Sequence, residues 1–581
     1  MERYINSFST ENDIQIALEN GELLKPYVAY IEDVDRIDWN SKEIVDYTTE
    51  YLTFNILSAG TINWTASNAS IAKTINYKLN NGEWISITSN TGASAPTINV
   101  IEGDKVQFRG NNTQYGAFLN YNLLYNSFNG STASFEAEGN IMSLIYGDDF
   151  KNKLTISSTY ALAGLFSNCV NLVSAENLVL PATTLADDCY DAMFNGCTSL
   201  TTAPTLPATT LASNCYGSMF QDCESLTTVP ELPATTLATN CYYNMFYNCT
   251  SLTTAPELPA MTLANNCYSN MFNKCTSLIT APALPATNLA GGCYSSMFNG
   301  CSSLTVAPEL PATNLAGGCY QQMFYNCTSL TTAPALPATT LADNCYSYMF
   351  QGCTSLTTAP ALPATTLANS CYSGMFQDCT SLTTAPELPA TTLSDACYQW
   401  MFKGCTSLAT APELPATTLA GGCYGNMFYG TNVLPDCSNI DFASSTVVAS
   451  GGLKGLFSGT KVTDNDLERL LPKNDNGRYY LPANTLADNC YQEMFSNCES
   501  LTTAPELPAT TLARGCYRSM FNGCTNLNYI KCLATDISAN RCTTDWVRGI
   551  TSRGTFVKAS SMTSWKTGKD GIPREWEVQD A

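Results

Sequence analysis

A 26-residue unit recurs through most of the chain, and no other feature constrains the fold as tightly. One copy, residues 336–361, reads LPATTLADNCYSYMFQGCTSLTTAPA. The unit starts at Leu180, Leu206, Leu232, Leu258, Leu284, Leu310, Leu336, Leu362 and Leu388, frays in the unit from Leu414, and returns at Leu481 and Leu507. A fixed period of this length predicts a solenoid, in which each coil buries its apolar face only against its neighbours. Residues constant between units are expected to point inward: Leu336, Pro337, Leu341, Cys345, Tyr346, Met349, Phe350, Cys353, Leu356 and Ala359. The variable positions 343–344, 347–348, 351–352 and 361 are expected to face water.

The ending Met349-Phe350-Gln351-Gly352-Cys353-Thr354-Ser355-Leu356 resembles the AF-x-x-C-x-x-L segment of BspA-like (Treponema pallidum-type) leucine-rich repeats, with Met in place of Ala. The likeness runs over residues 154–532, in units about three residues longer than the family's, the extra length lying around Cys345-Tyr346. It implies a leucine-rich-repeat fold and does not specify a function. Within each coil, Ser355 to Ala359 is expected as a short parallel strand and Cys345 to Phe350 as a turn of helix or 3₁₀ on the opposite side. Roughly fourteen coils at ~4.8 Å per strand would stack into a rod or arc. Each coil is expected to send about seven side chains inward, their burial dominating stability at ~25 cal/mol per Å² of apolar surface.

The flanking segments complete a mainly β chain. Residues 1–50 form an acidic arm, with four basic and twelve acidic side chains. Within it, Ser9 or Thr10 is placed to cap a short helix carrying Ile14, Ala17 and Leu18 and stopped by Gly21. Residues 51–147 hold alternating strand-like runs such as YLTFNIL, KTINYKL and KVQFRG, with a hairpin signal at Asn80-Asn81-Gly82, and read as a small Ig-like β-sandwich. The solenoid follows over 148–532, from a degenerate first coil at Leu162-Leu165-Phe166-Cys169-Leu172 and with a distorted coil at 430–480. There Leu453-Lys454-Gly455-Leu456-Phe457 reads as a decayed unit and KNDNGRYY as an outward loop. Residues 533–581 form a C-terminal cap whose Trp546, Trp565 and Trp576 read as its core, because a last coil exposes its interior unless covered.

Composition narrows the chemistry. Charged residues make up 13%, too few for salt bridges to hold the chain together, and the net charge of −22 argues against nucleic acid or an anionic membrane as partner. With no histidine, Ser-His-Asp and Cys-His catalysis and the common zinc sites are excluded. No nucleophile elbow or phosphate loop is present, and Asp148-Asp149 and Asp187-Asp188 read as solvated turns. A non-enzyme with no cofactor and no metal is therefore expected. The amino terminus has no apolar segment of a secretory signal, and no run is long enough to insert in a membrane. Nearly all of the 27 cysteines fall on two ladders eight residues apart. They read either as a disulfide framework or as columns of buried thiols. The odd count and the large core favour thiols.

Aromatic residues at variable positions mark a candidate ligand-binding edge: Tyr243, Tyr247, Tyr325, Tyr348, Trp400 and Tyr429. The core does not require them, and such rings dominate interface energetics; scattered surface aromatics without a role are the alternative. In the arm, KPYVAYIEDVDRIDWN is either a solvated linker or a docking segment with contacts at Tyr27, Tyr30, Ile31, Asp33, Asp35 and Trp39. This stretch resembles the amino-terminal segment of virion proteins from crAss-like phages of gut Bacteroides. DGIPREWEV, residues 570–578, resembles the carboxy terminus of Bacteroides and gut-phage repeat proteins. These likenesses imply a virion surface fibre or adhesin, docked to other virion proteins by its arm and bound to a host-surface protein or glycan. A bacterial BspA-like cell-surface adhesin is the alternative, and homo-oligomerisation stays open.

Overall fold

The computed structural model describes the backbone of Asn6–Phe8, Val28–Ile31 and Arg36–Trp39 and, from residue 46 onward, every residue except 121, 417 and 434–449. Coil follows coil without a break in the core. A column of buried phenylalanines runs through fourteen layers, from Phe166 and Phe194 to Phe495 and Phe521. Neighbouring rings lie nearly parallel, Phe324–Phe350 at 5.6 Å and Phe350–Phe376 at 5.8 Å between centroids. A second column of tyrosines does the same, Tyr320–Tyr346 at 5.8 Å and Tyr346–Tyr372 at 5.7 Å. The separations exceed the ~4.8 Å advance between parallel strands, so the rings stack with an offset, the arrangement their quadrupoles favour.

Residues 345–350, expected as a turn of helix or 3₁₀, lie instead in a ribbon of successive turns over 344–353. Positive φ recurs at every fourth residue, Asn344 (57°), Tyr348 (55°) and Gly352 (73°), which no α-helix tolerates. The N–H groups alternate in what they bond. Those of Asn344, Tyr346, Tyr348, Phe350 and Gly352 cross to the next coil, at carbonyls of Asn369, Cys371, Ser373, Met375 and Gln377. Those of Cys345, Ser347, Met349, Gln351 and Cys353 close turns onto the residue three positions back. Every backbone donor of the ribbon is thereby paired, as burial requires.

The expected Ser355–Ala359 strand is reduced to one bridged residue per coil, Thr332 to Thr358 and Thr358 to Thr384 in parallel. Pro360 and Pro363 follow directly; having no N–H, they cannot extend the ladder. A second bridge column links Thr340 to Thr366. These threonines are exposed, as is Pro337, so constancy between units does not always mean burial. Pro334, Leu336 and Ala338 point inward while Ala335, Pro337 and Thr339 point out, the two-residue alternation of extended chain.

The unit from Leu336 buries nine apolar side chains, Leu336, Ala338, Leu341, Cys345, Tyr346, Met349, Phe350, Cys353 and Leu356, and the leucine at the place of Leu341 is only partly buried in several other units. The cysteines among the described residues are free and buried. The second cysteine of each unit has a further role. The Phe350 carbonyl accepts the N–H of Cys353 (3.1 Å) and the thiol of Cys379 from the next coil (3.0 Å). A small apolar side chain with a weak donor satisfies that position, which Ala would leave with one bond fewer. Burial raises the thiol pKa throughout, to about 12 at Cys371.

The ends are closed differently. At the amino-terminal end, Phe135–Asn140 pairs antiparallel with Leu52–Ile56 in one sheet and in parallel with Leu172–Ser174 of the first coil. Phe54 and Phe128 meet Phe166, and Phe135 stacks on Phe54, so residues 52–150 and the solenoid share one hydrophobic core. Asn80 takes φ 51° in the turn joining Thr74–Leu79 to Ile85–Thr88. At the other end Tyr529–Cys532, Thr555–Lys558 and Glu577–Asp580 form a parallel sheet. Trp546 stacks on Tyr517 and on Trp565 (5.7 Å), and buried Trp576 donates its indole N–H to the Thr551 carbonyl.

The irregular coil keeps the ladder: Asn426 donates to the Lys454 carbonyl and Gly455 to that of Gln492, while Phe457 stacks on Phe495 at 5.5 Å. Residues 473–479 form a tight turn closed by an antiparallel bridge between Lys473 and Tyr479. In the arm, Val28–Ile31 pairs in parallel with Asn6–Phe8 and antiparallel with Arg36–Trp39, which sets Tyr30 opposite Ile37 and Val28 opposite Trp39. Tyr27, Asp33, Asp35 and the expected helix at Ile14, Ala17 and Leu18 lie outside the described residues.

Candidate functional site

All six aromatics singled out by their variability fall on the turn ribbon, in three columns. Tyr243 stands at the column of residue 347, Tyr348 and Trp400 at that of 348, and Tyr247, Tyr325 and Tyr429 at that of 351. Tyr243 and Tyr429 are exposed and the other four half-buried. Two of them meet: the rings of Tyr348 and Trp400 lie 6.4 Å apart, although a whole coil separates them. The coil between contributes Gly374 at the same position. A Cβ there would come within 2.3 Å of the Tyr348 ring, so only glycine lets that ring lie across it. Tyr348, Gly374 and Trp400 thus make one continuous surface.

Both aromatics adopt positive φ, 55° at Tyr348 and 58° at Trp400. Bulky residues rarely enter this region, because Cβ crowds the backbone. In other coils the same column holds small or polar residues, Gly374, Asn426 and Gly455 among them. The fold therefore requires the left-handed conformation here and does not require the ring. Tyr247 and Tyr429 are engaged otherwise: Lys274 sits 5.2 Å from the Tyr247 ring centre and Lys403 5.8 Å from that of Tyr429. Tyr247 raises the Lys274 pKa by accepting its hydrogen bond.

The acidic pairs read as solvated turns are structural. Asp148 accepts both bonds of the Arg109 guanidinium (2.6 and 2.7 Å) and the Tyr51 hydroxyl (2.9 Å), which hold its carboxyl below the usual range. Arg109 in turn lies over Trp84. Asp187 accepts the Ser213 N–H of the next coil (2.9 Å), and Asp188 the Asn214 amide (2.8 Å). Beside them, burial and then the Asp188 charge push Asp191 up to about 7. Among the described residues no group of three or more Cys, Asp or Glu is placed to hold a metal ion, and no helix is long and apolar enough to cross a membrane.

The family model for the BspA type leucine rich repeat region matches residues 163–305 and 293–409, in six copies. No curated protein matches the chain. Among solved structures, a leucine-rich repeat protein from Bacteroides ovatus ATCC 8483 is 15% identical, covering 77% of this chain and 95% of its own, with a TM-score of 0.37. A plant peptide hormone receptor, RGFR1 in complex with RGF2, is 12% identical over 71% of this chain and 64% of its own, with a TM-score of 0.20.

Proposed function

The solenoid is built of BspA-type leucine-rich repeats, and from that premise we propose that the chain is a non-catalytic binding protein whose turn ribbon presents Tyr348 and Trp400 to a host-surface glycan or protein. One observation carries this reading. Two bulky rings occupy positive-φ positions that glycine and small or polar residues fill elsewhere, and strain kept without a packing need points to function. A flat, half-exposed aromatic pair with Gln322 and Asn426 in the same column and Gln399 in the adjoining one suits the apolar face and hydroxyls of a sugar ring. The proposed setting is a virion surface, with residues 1–50 docking onto other virion proteins; the acidic arm and its likeness to phage segments support it. A bacterial cell-surface adhesin is the second reading, supported by the repeat type.

The test is a double variant, Tyr348→Gly and Trp400→Gly. Glycine is unstrained at positive φ, so thermal stability should stay within about 1 kcal/mol of the parent, while adsorption of the full chain to host cells falls by at least about tenfold. Unchanged adsorption by the folded variant would leave the solenoid as a spacer.

A further inference from the structure

Along the solenoid, the ninth and eleventh N–H groups of a unit cross to the following coil. In the unit from Leu507, Gly515 donates to the Asn540 carbonyl (3.1 Å) and Tyr517 to that of Cys542 (2.9 Å). The equivalent donors one coil later belong to Arg541 and Thr543, and no further coil covers them. Neither N–H has a partner among the described residues. The cap resumes the pairing just beyond, where Asp545 N–H donates to the Asp570 carboxylate (2.6 Å) and Val547 N–H to the Lys569 carbonyl (3.3 Å).

The two open donors face a concavity of about 560 Å³ whose lining includes Ser538, Asn540, Arg541, Thr543 and Lys566. Arg541 has φ 56°, and because the Cys542 N–H between them turns back onto the Ala539 carbonyl, the Arg541 and Thr543 N–H groups lie on the same side of the ribbon, the side that in the preceding coil donates onward. The Arg541 and Lys566 side chains are exposed and have no ion-pair partner among the described residues. The two lining carboxylates are occupied, Asp536 by the Ser538 N–H (2.9 Å) and Asp570 by Asp545. Residues 507–574 carry ten Lys and Arg against three Asp and Glu in a chain of net charge −22. The turn ribbon therefore ends in a pocket lined by two cations and two engaged carboxylates, within a basic stretch of the chain.

We propose that this pocket binds the carboxylate, phosphate or sulfate of an acidic saccharide, the anion on the Arg541 and Thr543 N–H groups between the Arg541 and Lys566 side chains. A volume of about 560 Å³ has room for a sugar ring besides the anion. The site is separate from the Tyr348–Trp400 surface and does not depend on it.

Calorimetric titration of the full chain with glucuronate, glucose 6-phosphate, glucose 6-sulfate, glucose and inorganic phosphate tests this. The anionic sugars should bind and glucose should not, with the three anions ranking which headgroup is preferred. Arg541→Gly with Lys566→Ala should weaken binding by about tenfold or more, since two charge-assisted contacts are lost. The Tyr348→Gly, Trp400→Gly variant should bind as the parent does, and circular dichroism checks that both variants fold. Equal affinity in the Arg541/Lys566 variant overturns the site, as does the absence of binding by any anion. Inorganic phosphate binding as tightly as the sugars overturns the saccharide. Concentration-dependent association that glucuronate does not suppress would assign the open donors to a second copy instead.

Discussion

Replacing Phe350 by Ala probes what holds one coil to the next. The ring is fully buried, between Phe324 at 5.6 Å and Phe376 at 5.8 Å. Its backbone bonds survive the change, because the carbonyl still accepts from Cys353 and Cys379. What is lost is the burial of the ring, two stacking contacts and the filling of the cavity, together roughly 3–5 kcal/mol. In a one-dimensional array that loss is not shared by all coils but felt at the two interfaces around residue 350. Limited proteolysis over a temperature series, with cut sites read by mass spectrometry, should therefore show cleavage within 324–376 before either end of the solenoid is cut. Loss of less than about 1 kcal/mol, or simultaneous cleavage along the whole chain, would refute the claim that ring stacking couples the coils.

Alkali should weaken the solenoid. The buried thiols ionise later than in the unfolded chain, Cys371 near 12, so their contribution is complete below about pH 8.5 and is lost as pH rises toward the folded value. The urea midpoint should fall above about pH 8.5, as the unfolding free energy drops by about 1.4 kcal/mol per thiol for each pH unit above the unfolded pKa; a constant midpoint up to about pH 10 would mean the thiols are not buried. Asp191, raised to about 7 by burial and Asp188, contributes stability below about pH 4 and loses it as pH climbs to 7. Asp191→Asn should then leave stability unchanged near pH 4 and raise it near pH 8, on the order of 2–4 kcal/mol, a difference that melts at the two pH values measure. Deleting residues 1–50 should yield a folded solenoid that no longer appears on purified virions, and normal incorporation would remove the docking role.

The repeat and its buried columns were legible because the period marks them: Phe350, Tyr346, Cys353 and Leu356 recur at fixed spacing and all are buried. The turn ribbon was misread as helix because Cys345, Met349 and Cys353 sit four apart, as on a helix face. Yet Asn344 and Gly352, eight apart and of types that tolerate positive φ, were the visible signal against it. Position 348 carries a weaker mark, since Ser, Gln, Glu, Tyr and Trp occupy it beside Gly and Asn, so the strain at Tyr348 and Trp400 emerges from backbone geometry. The exposed threonine ladder escaped for the opposite reason. Thr358 recurs in nearly every unit while bridging its neighbours in the solvent-facing ladder, and a period alone cannot distinguish that from burial. The open donors of Arg541 and Thr543 arise from where the coils stop, which no local motif records.

Hydroxyl-radical footprinting tests the binding face most directly. The full chain is oxidised alone and with surface polysaccharide from the cells it adsorbs to, and side-chain labelling is compared. The turn-ribbon account predicts that labelling of Tyr348 and Trp400 falls on binding, while Met261 and Val306, exposed on the threonine side of the coil, label as before. Protection of Met261 and Val306 with Tyr348 and Trp400 unchanged would contradict it.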